Sequence, residues 1–237
     1  MVSVDFRFNL KGDMENWWGA CNSSFMGTDW KMRIRPGLRK KIVGVRRSEA
    51  EKFLKPYLER RYRREGKRVQ KRMDTCRQYW DANSAEIFAR LKKITKRSVW
   101  PPTIYCFYTT FPRCPYGLQR NSGWLFITYK FLKNKKACAS SILHEIMHFQ
   151  FHKYFWSYCK RQSLDDAQIE HLKEAFTFLI NEEFSDLVTR DRGYLIHRRL
   201  RRNLKDVWKN SKSFKRTLGE GISLMKGKYS YLSKPRP

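Results

Sequence analysis

The stretch Ser140-Ser141-Ile142-Leu143-His144-Glu145-Ile146-Met147-His148-Phe149 contains H-E-x-x-H. On a helix, residues four apart lie on one face, separated by roughly 6 Å of rise. His144 and His148 could therefore turn both imidazoles toward one Zn²⁺. Glu145 stands beside them, placed to take the proton from a water whose pKa the metal lowers to about 7. That water would attack a carbonyl carbon, so the spacing points to metal-assisted hydrolysis with Glu145 as general base and later general acid. Leu143, Ile146, Met147, Phe149 and Phe151 make the helix apolar almost all round, which predicts burial. Two histidines and a glutamate are rarely buried on such a helix without partners.

A catalytic zinc takes three protein ligands and keeps a fourth position open. His152 lies about 12 Å of helical rise from His144, too far to be the third. Position 154 is a tyrosine and no glycine intervenes, so the turn that returns a third histidine in metzincins is absent. The downstream carboxylates are the candidates. Ser163-Leu164-Asp165-Asp166 reads as a helix start, with Ser163 as cap and acids in the first turn. That helix should run through Glu170, His171, Glu174 and Phe176 to about Phe184. The H-E-x-x-H helix reads as continuous to about Arg161, roughly 20 Å beyond His148. A helix turning back alongside it regains the level of the metal about ten to thirteen residues after Ser163. Glu174 falls there and is the expected third ligand. Glu182, about 12 Å further on, is the alternative. His171 shares a face with Glu174. Asn181 and Asp186 are candidates to accept from the non-metal nitrogens of His144 and His148.

These residues need elements to hold them. Pro101-Pro102 ends a helical region, and 103–110 and 124–129, rich in β-branched and aromatic residues, read as strands. The second runs directly into the H-E-x-x-H helix. In the zincin arrangement that H-E-x-x-H resembles, this strand would lie at the sheet edge, to which a peptide substrate could add as an extra strand. Upstream, Ser48 and Glu51 have capping-box spacing for a helix to about Tyr79, which Pro56 and Gly66 should kink or divide. A second helix, Ala85 to Lys96, should start from Asn83 or Ser84. Gly12, Gly19 and Gly27 suggest loops in the first thirty residues. The fold class expected is α+β, a short sheet with the H-E-x-x-H helix and a mainly helical C-terminal part. The expected division is a basic, mainly helical extension over 1–80 and a domain over 81–237, upper part 81–160 and lower helical part 161–237.

The chain has 237 residues and a net charge of +29, with 15% aromatic and 41% hydrophobic residues, a globular composition. The charge is uneven: about +17 over 31–97 and about +11 over 198–237, against about +3 over 98–197. Basic flanks of this kind admit nucleic acid or another polyanion as partner. The start lacks the apolar run of a secretion signal, and no segment approaches 18 consecutive apolar residues, so no membrane span is expected. Six scattered cysteines without a C-x-x-C pair fit reduced thiols in a cytoplasmic protein, with a Cys106–Cys114 disulfide as the open alternative.

H-E-I-M-H followed by K-E-A-F-T-F-L-I-N at 173–181 resembles the gluzincin zinc metallopeptidases, especially the single-domain minigluzincins. N-E-E-F-S-D at 181–186 is similar to the N-E-x-x-S-D of the thermolysin group, which would make Glu182 the ligand. The resemblance spans about 85–210. It implies a zincin-like fold, bound Zn²⁺ and hydrolysis of peptide bonds in a peptide or protein substrate. Gluzincins place a Tyr or His after the glutamate helix to stabilise the developing oxyanion. Gly193-Tyr194-Leu195-Ile196-His197 offers both, with His197 as the candidate. No aminopeptidase-type G-x-M-x-N is present, which favours an endopeptidase. The alternatives are a nucleic-acid-associated basic protein on a zincin fold, or a latent or inactive zincin whose N-terminal segment or tail Gly227–Pro237 covers the cleft.

Overall fold

A computed structural model describes residues 2–23 and 28–233. The loop expected at Gly27 and the last four residues of the tail lie outside them. The elements run β1 (Ser3–Phe8), α1 (Leu10–Cys21), a one-turn α2 (Pro36–Arg39), α3 (Arg47–Thr95), β2 (Thr103–Thr109), β3 (Tyr116–Leu118), β4 (Ser122–Thr128) and a one-turn α4 (Tyr129–Leu132). Then follow α5 (Lys135–Tyr154), α6 (Trp156–Arg161), α7 (Asp166–Phe176), α8 (Phe178–Glu183), α9 (Arg198–Ser211) and α10 (Phe214–Lys226). The architecture is mixed α+β, mostly helical, with one small sheet. No described helix is long and apolar enough to cross a membrane.

The chain divides into two compact units that interleave in sequence: Ser3–Gln78 with Thr103–Cys138, and Tyr79–Pro102 with Ala139–Pro237. This corrects the expected division at residue 80. The reason is β1. Val4 and Phe6 point inward and Asp5 and Arg7 outward, the period-two pattern of a half-buried strand, and all six residues pair in parallel with β2. Residues 3–8 are thus part of the sheet and not of an extension.

In the first unit the sheet order is β1-β2-β4-β3, parallel except for the β3–β4 pair. The expectation that the strand before α5 forms the edge is overturned: β4 pairs with β2 on one side, and β3 covers Gly123 to Leu125 on the other. Helix α1 forms where loops were expected at Gly12 and Gly19. Asn9 caps it by accepting from the Gly12 N–H at 2.9 Å. A Cβ on Gly12 would lie 2.7 Å from Phe126 Cζ, so only glycine allows this approach to β4. The buried Asp13 carboxylate accepts from Thr109, Thr110 and Tyr62, fastening α1 to the end of β2. Burial pushes its pKa up against those hydrogen bonds. Trp17, Leu54, Leu58 and Phe111 build the core.

Helix α3 is one element of 49 residues, not two. Asn83 and Ser84 do not cap a new helix. Their side chains donate backward, to Tyr79 O at 2.7 Å and Asp81 O at 3.3 Å, and the helix continues through them. Pro56 is exposed, so water can serve the carbonyl it leaves without a donor.

The second unit is helical. Helix α5 ends at Tyr154, earlier than the continuous helix expected, because Phe155 leaves helical geometry and packs its ring on Phe214, centroids 4.6 Å apart. The cap of α7 is Asp165, in a capping box with Gln168, and not Ser163, which is left-handed at φ 63°. Leu172, Phe176, Leu200, Leu204, Ile222 and Met225 form the α7, α9 and α10 core.

Candidate metal centre

Helix α5 is buried from Ile142 to Phe151 except at His144. One helical turn places His144 and His148 on the same face, ring centroids 4.4 Å apart. Helix α7 brings Glu174 against both. Its Oε1 lies 3.2 Å from His148 Nε2, and its Oε2 lies 3.6 Å from His144 Nε2. One ligand-type atom from each of the three residues lies within 4.8 Å of the others, the only such group of three among the described residues. His148 and Glu174 are buried, and the His144 side chain keeps 19% of its surface exposed.

A neutral, well-packed cluster would satisfy its polar atoms internally. Here Oε2 of Glu145 and Oε2 of Glu174, both buried, have no hydrogen-bond partner among the described residues. Buried carboxylate oxygens beside two imidazole nitrogens fit the donor set of a divalent cation. The electrostatics are mixed: burial opposes a charge on His144, yet Asp191 and Glu174 hold its pKa well above the usual imidazole value, so a cation bound there must displace a proton. Burial opposes ionisation of Glu174, but the adjacent His148 and His144 hold its pKa well below the carboxylate range. Burial lowers His148 to about 3, assisted by Lys173, leaving it neutral as a ligand must be. Burial pushes Glu145 up to about 7, with His144 pulling it down and Glu174 up, in the range suited to proton transfer near neutral pH.

Glu182 is elsewhere: its Oε1 lies 2.5 Å from Lys205 Nζ. Asp186 is also elsewhere, joined to Arg90 through both carboxylate oxygens on the surface. The described partner of Asp186 is Arg90, and that of the Asn181 side chain is the Asp191 backbone. The carboxylate beside the His144 ring is Asp191, which the sequence reading missed: Oδ1 stands 3.5 Å from His144 Nδ1, at ion-pair distance. Asn181 serves one step removed, bonding the Asp191 backbone through both its N–H (2.7 Å) and its carbonyl (2.8 Å). Arg201 Nη1 donates to Asp191 Oδ2 at 2.9 Å, and Thr177 donates its hydroxyl to the same oxygen at 2.7 Å. Gly193 adopts φ +59°, and its missing Cβ leaves the space that the Arg201 guanidinium fills. Burial would raise the Asp191 pKa, but His144 and Arg201 hold it below the carboxylate range. Asp191 sits in an irregular segment, where no period ties a residue to a face, so spacing gives no signal for it.

His197 is fully buried rather than on a helix surface, and its Nε2 meets His171 Nδ1 at 2.8 Å. Burial lowers its pKa to about 4, assisted by His171. Its described hydrogen-bond partner is thus His171, and the oxyanion role expected of it stays a proposal. His152 is half-buried and stacks on Trp156, centroids 4.8 Å apart. All six cysteines are free thiols, including Cys106 and Cys114. Comparison with protein-family models, curated proteins and solved structures finds no match to the chain.

Proposed function

We propose that this protein is a zinc-dependent peptidase of the gluzincin type, with His144, His148 and Glu174 as metal ligands and Glu145 as the general base. The observation that carries the reading is the convergence of the three ligand-type atoms from α5 and α7, beside buried carboxylate oxygens that no described group satisfies. The donor set, two imidazoles and a carboxylate, is one that catalytic zinc uses, and the choice of zinc rests on the H-E-x-x-H resemblance. Zinc held there supplies Lewis acidity toward a carbonyl oxygen and acidifies a neighbouring water.

The chain supplies the rest. Glu145, one residue along the helix from His144, receives the proton of the attacking water and hands it to the leaving amine nitrogen. A pKa near 7 lets one carboxylate do both at neutral pH. Asp191 Oδ1 faces His144 Nδ1 at 3.5 Å, so it would favour a proton on that nitrogen and leave Nε2 to the cluster. His144, the partly exposed ligand, marks the side from which a peptide approaches.

The test is Glu145→Gln assayed on a mixed fluorogenic peptide library. Zinc content measured by mass spectrometry should match the wild type, and cleavage should fall at least about a hundredfold. A Glu145→Gln protein that cleaves at the wild-type rate overturns the mechanism. A zinc-loaded wild type that cleaves nothing in the library overturns the peptidase assignment.

A further inference from the structure

The H-E-x-x-H chemistry leaves the excess charge without a role. Between residues 59 and 72, eight Lys and Arg stand against two Glu. All these residues belong to α3 within the sheet-bearing unit. Arg60, Arg64, Lys67 and Lys71 follow one another at intervals of three or four, which puts them in a row along one face about 16 Å long. All four are exposed, and Lys67 and Lys71 have no ion-pair partner among the described residues.

This row borders an open groove of about 650 Å³ between α3 and the end of β1. Lys67, Lys71, Gln70 and Gln78 line one wall, and Phe8 lines the other. Phe8 is 38% exposed, unusual for the last residue of a paired strand. It is not loose: its ring is held edge-on by Tyr62 at 5.6 Å and Tyr108 at 5.9 Å. The exposed part of the ring gives the groove an aromatic surface beside the lysines. The one acid among the described lining residues, Asp74, accepts from Gln70 Nε2 at 2.9 Å.

The floor of the groove is Gly66. A helix interior disfavours glycine, which adds backbone freedom and packs nothing. Steric need does not explain it: a Cβ there would meet no atom within 4 Å. Without a side chain it leaves the groove open at that point.

We propose that this groove binds single-stranded nucleic acid. A base stacks on Phe8 over Gly66, Lys67 and Lys71 take the flanking phosphates, and the glutamine amides face the base edges. An aromatic platform beside a cationic track is the arrangement that single strands use, because every base offers a π-face and duplex DNA hides it. An acidic peptide would match the lysines but leave the platform without a purpose. The site is separate from the metal ligands and stands without the peptidase reading.

The test is fluorescence anisotropy of a labelled oligothymidine of about 20 nucleotides with the full chain, in about 50 to 200 mM salt. Because the chain carries +29, charge alone will retain some polyanion, so a matched control decides. Gly66→Glu fills the groove and Gly219→Glu makes the same charge change on α10, where a Cβ also meets nothing within 4 Å. Gly66→Glu and Phe8→Ala should each weaken binding about tenfold or more, and Gly219→Glu less than about threefold. Lys67→Gln with Lys71→Gln should reduce the slope of log affinity on log salt by about 1.4, about 0.7 for each of two phosphates. Circular dichroism melts confirm that each variant folds. Equal effects of the two glutamates, a duplex bound as tightly as the single strand, or displacement by polyglutamate at equal charge overturns the site.

Discussion

Asp191 Oδ1 stands 3.5 Å from Nδ1 of His144, while Glu174 Oε2 stands 3.6 Å from Nε2 of the same ring. One imidazole is thus bracketed by two carboxylates that do different work. Glu174 belongs to the ligand set we propose. Asp191 faces the ring's other nitrogen, where it would set the ring's orientation, and is itself fixed by Arg201, Thr177 and Asn181. Outer partners of this kind typically contribute ten- to hundredfold in metal affinity, so Asp191→Asn should weaken zinc binding by about that factor. Competition against a chromophoric chelator reads it. Asp191→Asn also leaves buried Arg201 without its counter-charge, so the double variant with Arg201→Met should recover stability but not zinc affinity. Wild-type zinc affinity in Asp191→Asn would remove the positioning role.

The ligand set separates two glutamates eight residues apart. Glu174→Gln should lose zinc affinity by more than about a hundredfold, and Glu182→Gln, whose native partner is Lys205, should keep it. Zinc at about a hundred times its dissociation constant should stabilise the wild type and Glu182→Gln by about 2.7 kcal/mol, seen as a raised melting temperature. Glu174→Gln should gain little. The reverse pattern would transfer the ligand to Glu182.

Acid should weaken the metal-free fold partly through His152. Burial lowers its pKa to about 4, with Lys173 adding to the effect. The unfolded chain takes up that proton near about 6.5, so the folded state binds fewer protons between those values. The stability involved is complete above about 6.5 and is lost as pH falls toward about 4. His152→Phe keeps a ring to stack on Trp156 and removes the titration. Melting temperatures of the chelated proteins should therefore diverge in favour of the variant as pH falls from about 7 to about 4. A pH-independent difference would show that His152 takes no part.

Two glycines of α10 should respond oppositely. A Cβ at Gly221 would lie 2.8 Å from Leu172 Cδ1 and 3.2 Å from Leu204 Cδ2, whereas at Gly219 it meets nothing within 4 Å. Gly221→Val should cost about 1–3 kcal/mol through overpacking. Gly219→Ala should stabilise by up to about 1 kcal/mol through helix propensity. Thermal denaturation of the two variants checks both signs.

The parts of this molecule that obey a period were readable in its sequence. The four-residue step from His144 to His148 and the apolar wrap of α5 follow from 1.5 Å of rise per residue, whereas Glu174 comes level with the histidines although α5 breaks at Phe155 and α7 is capped by Asp165 rather than Ser163. Strands β2 and β4 announce themselves by composition. The remainder depends on contacts that no local pattern encodes. Asn83 and Ser84 have the right chemistry for caps, yet they bond to the turn behind them, and only the structure reveals which way they face. Asp191 and Arg201 are ten residues apart and meet through a left-handed Gly193. Pairing of β1 with β2 spans about a hundred residues, beyond the reach of any window.

That distant pairing bears on how the protein should be handled. A shortened version trimmed to the motif-bearing part, beginning near residue 81, keeps H-E-x-x-H but discards the six residues that close one margin of the sheet. Strand β2 would then present bare amides and carbonyls to any neighbouring molecule, an invitation to self-association. Inactivity in such a fragment would report on its missing border rather than on its ligands, so assays of the metal chemistry belong in the untrimmed chain.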